Sequence, residues 1–431
     1  MPALKKPRSV TIRTYQVGFG DCCLLTFNYP AGKRHVLIDF GSTRRPASSP
    51  KKLLDEIARE ISRDCGGKLT AVVATHRHRD HIDGFRTNRK GTAPGNVIRR
   101  LQPDLVLQPW TEDPDAPRDP RSAAGGVTPL AFRGALAAMH AMAGSVLGQL
   151  PVLRDRVPAA MTEQLGFLGE DNLSNRSAVR NLMSMAPNEY LHFGSATRLG
   201  KLLPGVKVHV LGPPTLKQTG TILRQRAEDR DEFWHQFRSF WQLRGETAHA
   251  GRSRGRRPLF PAARRAVPDS PDALWFISRL LDAHASNLLS LVRILDEAMN
   301  NTSLILLFEV GSKLLLFPGD AQFENWMYAL DESRPWRKRL RGVHFYKVGH
   351  HGSLNATPKT LWSGFRRASD TRKVGRLKTA LSTLGGVHGS EDNRTEVPRR
   401  TLAAALAAQS DLLNTETYAA TELSRAIEIK T

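Results

Sequence analysis

"ATHRHRDHIDGF", residues 74–85, sets His76, His78, Asp80, His81 and Asp83 in one short segment, with Arg77 and Arg79 between them. Imidazoles and carboxylates at this density are costly in an apolar core, because each polar group must find a partner once it leaves water. They become reasonable neighbours when a cation sits among them. Neutral imidazole and carboxylate are good ligands for zinc and also suit manganese and iron. The segment follows "LTAVVAT", residues 69–75, an apolar run that reads as a buried strand. The cluster therefore belongs to the loop that leaves a strand. On such a loop His76 and His78 turn to one point and Asp80 and His81 to a second, a spacing suited to two metals roughly 3.5–4 Å apart.

Strand texture surrounds this loop. "SVTIRTYQVG" (9–18), "DCCLLTFNY" (21–29) and "RHVLIDFG" (34–41) are short and rich in β-branched and aromatic residues, with turn signals between them. Cys22 and Cys23 should point to opposite faces of their strand. With Cys65, they form neither a zinc-type pair nor a disulfide framework, and read as buried, reduced thiols. Residues 49–64 place Leu53, Leu54, Ile57 and Ile61 at helical spacing, and Cys65-Gly66-Gly67 ends that helix. Residues 100–110 give another strand.

The texture changes from Thr111. Residues 111–126 read as a loop, 129–150, 224–244 and 271–300 as helices, and 204–214 as one short strand closed by prolines. Residues 251–268 carry six arginines and no acid and read as a loop. Strands then return. Residues 302–321 form a hairpin around Gly311-Ser312, 343–353 a strand running into a histidine pair, and 378–386 the last strand. A helix follows over 397–414. The expected division is 1–110, a mostly helical insertion over 111–300 with a strand near 204–212, and 301–431.

"THRHRDHIDGF" resembles the signature of the metallo-β-lactamase superfamily. "VGFGDCCLLTF" (17–27) and "VLIDFGS" (36–42) resemble its opening strands, and "NNTSLILLFEVGSKLLLFPGDA" (300–321) its paired strands ending in a metal-bridging aspartate. "YKVGHHGS" (346–353) is similar to the histidine motif of the branch that holds the hydrolase domain of DNA-uptake channel proteins and the choline-phosphate esterases. The blocks keep the family's order over roughly half the chain, so their specificity exceeds that of the histidine motif alone. The resemblance implies an α/β (α+β) fold, a four-layer αβ/βα sandwich carrying the helical, arginine-rich insertion. It implies that His76 and His78 hold a first metal, Asp80 and His81 a second, and that Asp320 bridges both. His350 or His351 completes the second site, and the strand end favours His350. The family's third histidine for the first metal has no convincing counterpart. His192, His209 and His249 are candidates, and otherwise the site is more open, with Asn300–Asn301 nearby.

Asp21 and Asp39 lie at strand ends, where they would orient ligand histidines or simply cap turns. Asp80, Asp320 and His388 are the candidate catalytic residues, His388 because it lies on a glycine-rich loop after a strand. Arg77, Arg79 and Ser353 are candidates for holding phosphate.

The net charge is +22 and the isoelectric point about 10.4. Such an excess suits a polyanion, with nucleic acid first, although a solvated basic surface accounts for it equally. Residues 333–342 and 365–378 add positive runs beside the histidine pair, and Trp326, Trp336 and Trp362 lie among them, available either for base stacking or for the core. No run of eighteen apolar residues and no secretory pattern is present at the start, so the expectation is a cytoplasmic protein without a membrane partner.

The expected function is a phosphodiesterase or nuclease with two divalent ions, zinc first and manganese second. A metallo-hydrolase of esters, lactones or β-lactams remains an alternative. So does a component of a multi-protein defence or DNA-uptake system that docks a partner through 111–300.

Overall fold

The computed structural model describes residues 6–113, 175–215, 218–219, 299–331, 333–353, 357–371, 374–389, 396–419 and 421–431. All of these belong to one compact unit of the chain. The other unit, Gly134–Leu173 with Leu223–Glu297, lies outside the described residues, as do most of the expected insertion helices and the arginine-rich loop.

Thirteen described strands form two mixed sheets. The first runs β13 (Ser424–Lys430), β1 (Ser9–Tyr15), β2 (Cys22–Tyr29), β3 (Gly32–Phe40), β4 (Ala71–Val73), β5 (Leu105–Pro109) and β6 (Asn188–Leu191). Its first four strands are antiparallel, and β3 to β6 are parallel. The second runs β12 (Asp411–Asn414), β11 (Lys378–Leu381), β10 (Phe345–Lys347), β9 (Lys313–Phe317), β8 (Ile305–Val310) and β7 (Val206–Gly212). Here β12 to β9 are parallel, and β8 and β7 close the sheet antiparallel.

Strand alternation divides the apolar residues between three cores. Ile12, Cys23, Leu25, Ile38 and Val73 of the first sheet share one core with Leu306, Phe308, Leu315, Phe317 and Ala380 of the second. The opposite face of the first sheet, with Cys22, Leu24, Leu37 and Val72, packs on Leu54, Ile57 and Ile61 of α1 (Leu53–Asp64) and on Ile98 of α3 (Pro94–Arg100). Leu182 of α4 (Arg176–Ser184) joins that layer. The outer face of the second sheet, with Leu307, Leu316 and Tyr346, packs on Trp326 of α6 (Phe323–Ala329) and on Leu402 and Leu406 of α9 (Arg400–Gln409). Between these come α7 (Pro335–Leu340) and α8 (Lys359–Gly364). Each fully buried Leu, Ile or Phe contributes about 1.5–3 kcal/mol. Strands buried on both faces read as unbroken apolar runs, which is how the sequence shows them.

Several expectations change. The strand expected near 204–212 is present as β7, at the edge of the second sheet, whereas β6, also within the stretch placed in the insertion by texture, was not expected and forms the edge of the first, with the short α5 (Leu199–Leu202) between them. The strand at 378–381 is not the last, since β12 and β13 follow it. β12 takes the end of the stretch expected to be helical, and β13 pairs with β1 along its whole length. Trp326 is fully buried, which removes it from base stacking. Trp362 donates from its ring N–H to Gln409, and Trp336 packs on His209 with ring centroids 5.0 Å apart. Among the described residues no helix is long and apolar enough to cross a membrane.

Candidate metal centre

The site forms where loops leave the carboxyl ends of parallel strands in both sheets, the usual place for a ligand crevice in such sheets. The loop after β4 carries His76 and His78 and enters α2 (Arg79–Ile82), which holds Asp80 and His81. Asp320 lies three residues beyond β9, and His351 lies in the turn His350–Gly352 after β10. Two contacts bring the halves together. The Leu304 amide donates to the Thr75 carbonyl at 2.9 Å. Gly319, at φ +55°, packs so closely that a Cβ there would lie 2.7 Å from that of Thr75.

Asp80, His81, Asp320 and His351 each present a ligand atom, all within 4.8 Å of one another and all buried. The His351 Nε2 is 2.6 Å from Asp80 Oδ2 and 3.7 Å from Asp320 Oδ2, and the His81 Nε2 is 3.1 Å from Asp320 Oδ2. His76, His78 and Asp80 form a second buried group of the same compactness. These residues are therefore positioned to hold a metal ion. His76 Nε2 and Asp80 Oδ1 are buried and lack a hydrogen-bond partner. Orphaned polar atoms of this kind cost about 1–3 kcal/mol each, and a cation between them satisfies both.

The charges agree. Burial holds His76 well below the usual imidazole range and pushes His78 down to about 4, so both are neutral ligands near pH 7. Burial alone would raise the carboxyls of Asp80 and Asp320, but His81 and His351 beside them outweigh it and hold both below the usual carboxylate range. Burial disfavours charge on His81 and His351 too, yet the surrounding carboxylates overcome it and raise both.

The histidine pair is resolved in favour of the second residue. His351, not the His350 favoured by its place at the strand end, joins Asp80, His81 and Asp320. Both histidines adopt left-handed backbone conformations, at φ +42° and +49°, so the chain turns sharply and the second ring swings inward. His350 is partly exposed, and its amide donates to Asp320 Oδ1 at 2.9 Å. Its Nδ1 lies 2.9 Å from Ser353 Oγ, and its Nε2 lies 3.5 Å from Asn300 Nδ2. Asp39, at φ +54°, is a third residue in the left-handed region, and among the described residues only Gln102 adds another that is not glycine. Such conformations cost of order 1–3 kcal/mol and persist where surrounding contacts fix them.

Asp39 orients His81. Its Oδ2 accepts from His81 Nδ1 at 2.8 Å and from the Thr75 hydroxyl at 2.7 Å, and its Oδ1 accepts from the Thr75 amide at 2.8 Å. This bond fixes the ring so that Nε2 faces the centre. Asp21 takes a different partner, forming a buried ion pair with Lys347 at 2.6 Å. Sequence reading missed Lys347 and Thr75. The signal for Lys347 was a single charge inside the apolar run "VHFYKV".

The remaining candidates lie elsewhere. Arg77 pairs with Glu112 at 3.2 Å and Arg79 with Asp83 at 3.8 Å, so each already faces a carboxylate of the chain. His388 belongs to neither ligand group, and its ring lies 6.5 Å from that of Phe19, which in turn packs 4.4 Å from His351. His209 pairs with Glu309 at 3.0 Å, and the His192 Nδ1 contacts the Phe193 carbonyl at 2.9 Å. Among the described residues no third histidine therefore joins His76 and His78. His249 lies outside the described residues.

No protein-family model matches the chain, and no curated protein matches it either.

Proposed function

We propose that the chain is a metal-dependent hydrolase of the metallo-β-lactamase type, and that it cleaves phosphodiester bonds in nucleic acid or nucleotides. The observation that carries this reading is the convergence of Asp80, His81, Asp320 and His351, drawn from loops of both sheets, on one buried point beside His76 and His78. The two sheets sharing a core, with helices against each outer face, agree with the αβ/βα sandwich that the motifs imply.

His76, His78 and Asp80 would hold one ion, and Asp80, His81, Asp320 and His351 another, zinc or manganese. Divalent ions in such sites lower the pKa of a bound water towards neutrality and polarise a phosphoryl oxygen. The chain's own part is to fix geometry. Asp39 and Thr75 lock the His81 ring, and the His350 amide locks the Asp320 carboxylate. His350, partly exposed, has both ring nitrogens engaged, Nδ1 with the Ser353 hydroxyl and Nε2 with the Asn300 amide, and would meet a substrate oxygen only in place of one of these partners. The net charge of +22 supports a polyanion.

The engagement of Arg77 and Arg79 with acids of the chain favours keeping a second reading, in which the same centre hydrolyses a small ester or lactone. Incubation with single- and double-stranded DNA, RNA, cyclic nucleotides and model esters, with zinc or manganese, separates the two. Strong inhibition by salt supports the polyanion, and salt-indifferent turnover of an ester alone contradicts it. Asp320→Ala and His78→Ala should each lower hydrolysis about a hundredfold or more, with folding retained by circular dichroism. Full activity in both variants would overturn the assignment.

A further inference from the structure

We propose that Lys347 and Asp21 form a buried ionic staple that holds the ligand loops of the two sheets in register, which makes Lys347 a positioning residue of the metal centre. This rests on the reading of that centre as a metal site.

Lys347 ends β10 among the fully buried Phe345, Tyr346 and Val348, and is itself 5 % exposed. Lysine is almost never buried unless paired. Its ammonium lies 2.6 Å from Asp21 Oδ1 and donates to the Val348 carbonyl at 3.0 Å, where the chain bends into the turn that carries His351. A buried ion pair is seldom the most stable filling for its space, because apolar residues of similar volume do as well or better. Its presence therefore asks for a task other than stability.

The surroundings supply the task. Asp21 closes the turn Gly18–Phe19–Gly20–Asp21, and that turn touches both halves of the centre. On one side the Asp21 amide donates to the carbonyl of the ligand Asp80 at 2.9 Å. A Cβ at Gly41 would lie 2.4 Å from the same carbonyl carbon, so backbone abuts backbone there. On the other side the Ser382 hydroxyl donates to the Gly20 carbonyl at 2.6 Å, and the Ser382 carbonyl meets His351 Nδ1 at 3.1 Å. The Phe19 ring packs against His351. Asp80 is thus held to this turn directly, through the Asp21 amide, and His351 through Ser382, which bridges it to the Gly20 carbonyl. The Asp21–Lys347 pair is the ionic link between that turn and β10. The ammonium also occupies a carboxylate that stands within 4.8 Å of Asp39 and His81, and keeps it from acting as a rival ligand.

The test uses the full chain stripped of metal and titrated with cobalt(II) against a chelator, with the cobalt ligand-field spectrum and thermal unfolding of the metal-free protein as readouts. The variants are Lys347→Met and the charge-neutral double Asp21→Asn/Lys347→Met, which leaves no lone buried charge if the single variant fails to fold. The double variant should unfold no earlier than the native chain, yet bind cobalt about 10–100-fold more weakly with an altered spectrum. Native affinity and spectrum in the double variant would overturn the proposal. So would its failure to fold, since the pair would then serve the fold rather than the centre. A native chain that binds no cobalt would instead remove the metal reading itself.

Discussion

Asp80, His81, Asp320 and His351 come from loops of two sheets and enclose one point, whereas His76 and His78 come from a single tripeptide and share only Asp80 with that group. The first group is closed. Its Asp320 carboxylate is held by the His350 amide, and its histidines by Asp39 and the Ser382 carbonyl. The second is open, with three protein ligands among the described residues. Structural zinc sites use four protein ligands, while catalytic sites keep a position free for water or substrate. On the proposed reading, the asymmetry would make the Asp320 side the tighter holder of metal and leave the His76 side with fewer protein ligands.

The largest expected effect breaks the closed side. His351→Ala should lower metal affinity about a hundredfold or more, whereas His350→Ala should leave the metal bound and weaken substrate turnover instead. Chelator competition and steady-state rates on both variants check this, and equal loss of metal in both would erase the distinction between the two histidines. Next comes the support of that side. Asp39→Asn removes the charge and turns one of the two acceptor oxygens into a donor, which weakens the hold on His81 and should cost about 10–100-fold in metal affinity with little change in melting temperature. A large fall in stability at unchanged affinity would show that Asp39 serves the fold.

The smallest effect lies away from the centre and serves as a control on the pH response. Burial pushes His35, on β3, down from 6.5 to about 4. Its neutral form is favoured in the folded chain, so the unfolded chain binds more protons between these values. Its share of stability is intact above about pH 6.5, falls as pH drops towards 4 and then levels off. His35→Gln should flatten urea-unfolding stability across that window without moving metal affinity. An unchanged slope would show that His35 is not held neutral.

The buried His/Asp cluster was legible because most of it is contiguous or sits at the end of an apolar strand. The choice between His350 and His351 was not, because it depends on two successive left-handed residues, and nothing short of the backbone shows which ring swings inward. Asp39 was visible as a strand-end aspartate but equally as a turn residue, and only Thr75 and His81 around it decide the matter. The long central strands were readable from runs buried on both faces. β6, β12 and β13 were not, since they are short or partly exposed edge strands with weak alternation. Their place is set by pairing with distant strands, β13 with β1 above all.

The most direct test is metal analysis of the purified native chain beside an Asp320→Ala/His351→Ala double variant, after both are loaded with zinc or manganese and desalted. The native chain should keep its metal and the variant should lose what the closed group holds. Equal metal in both, or none in the native chain, would contradict a cation centre built between the two sheets.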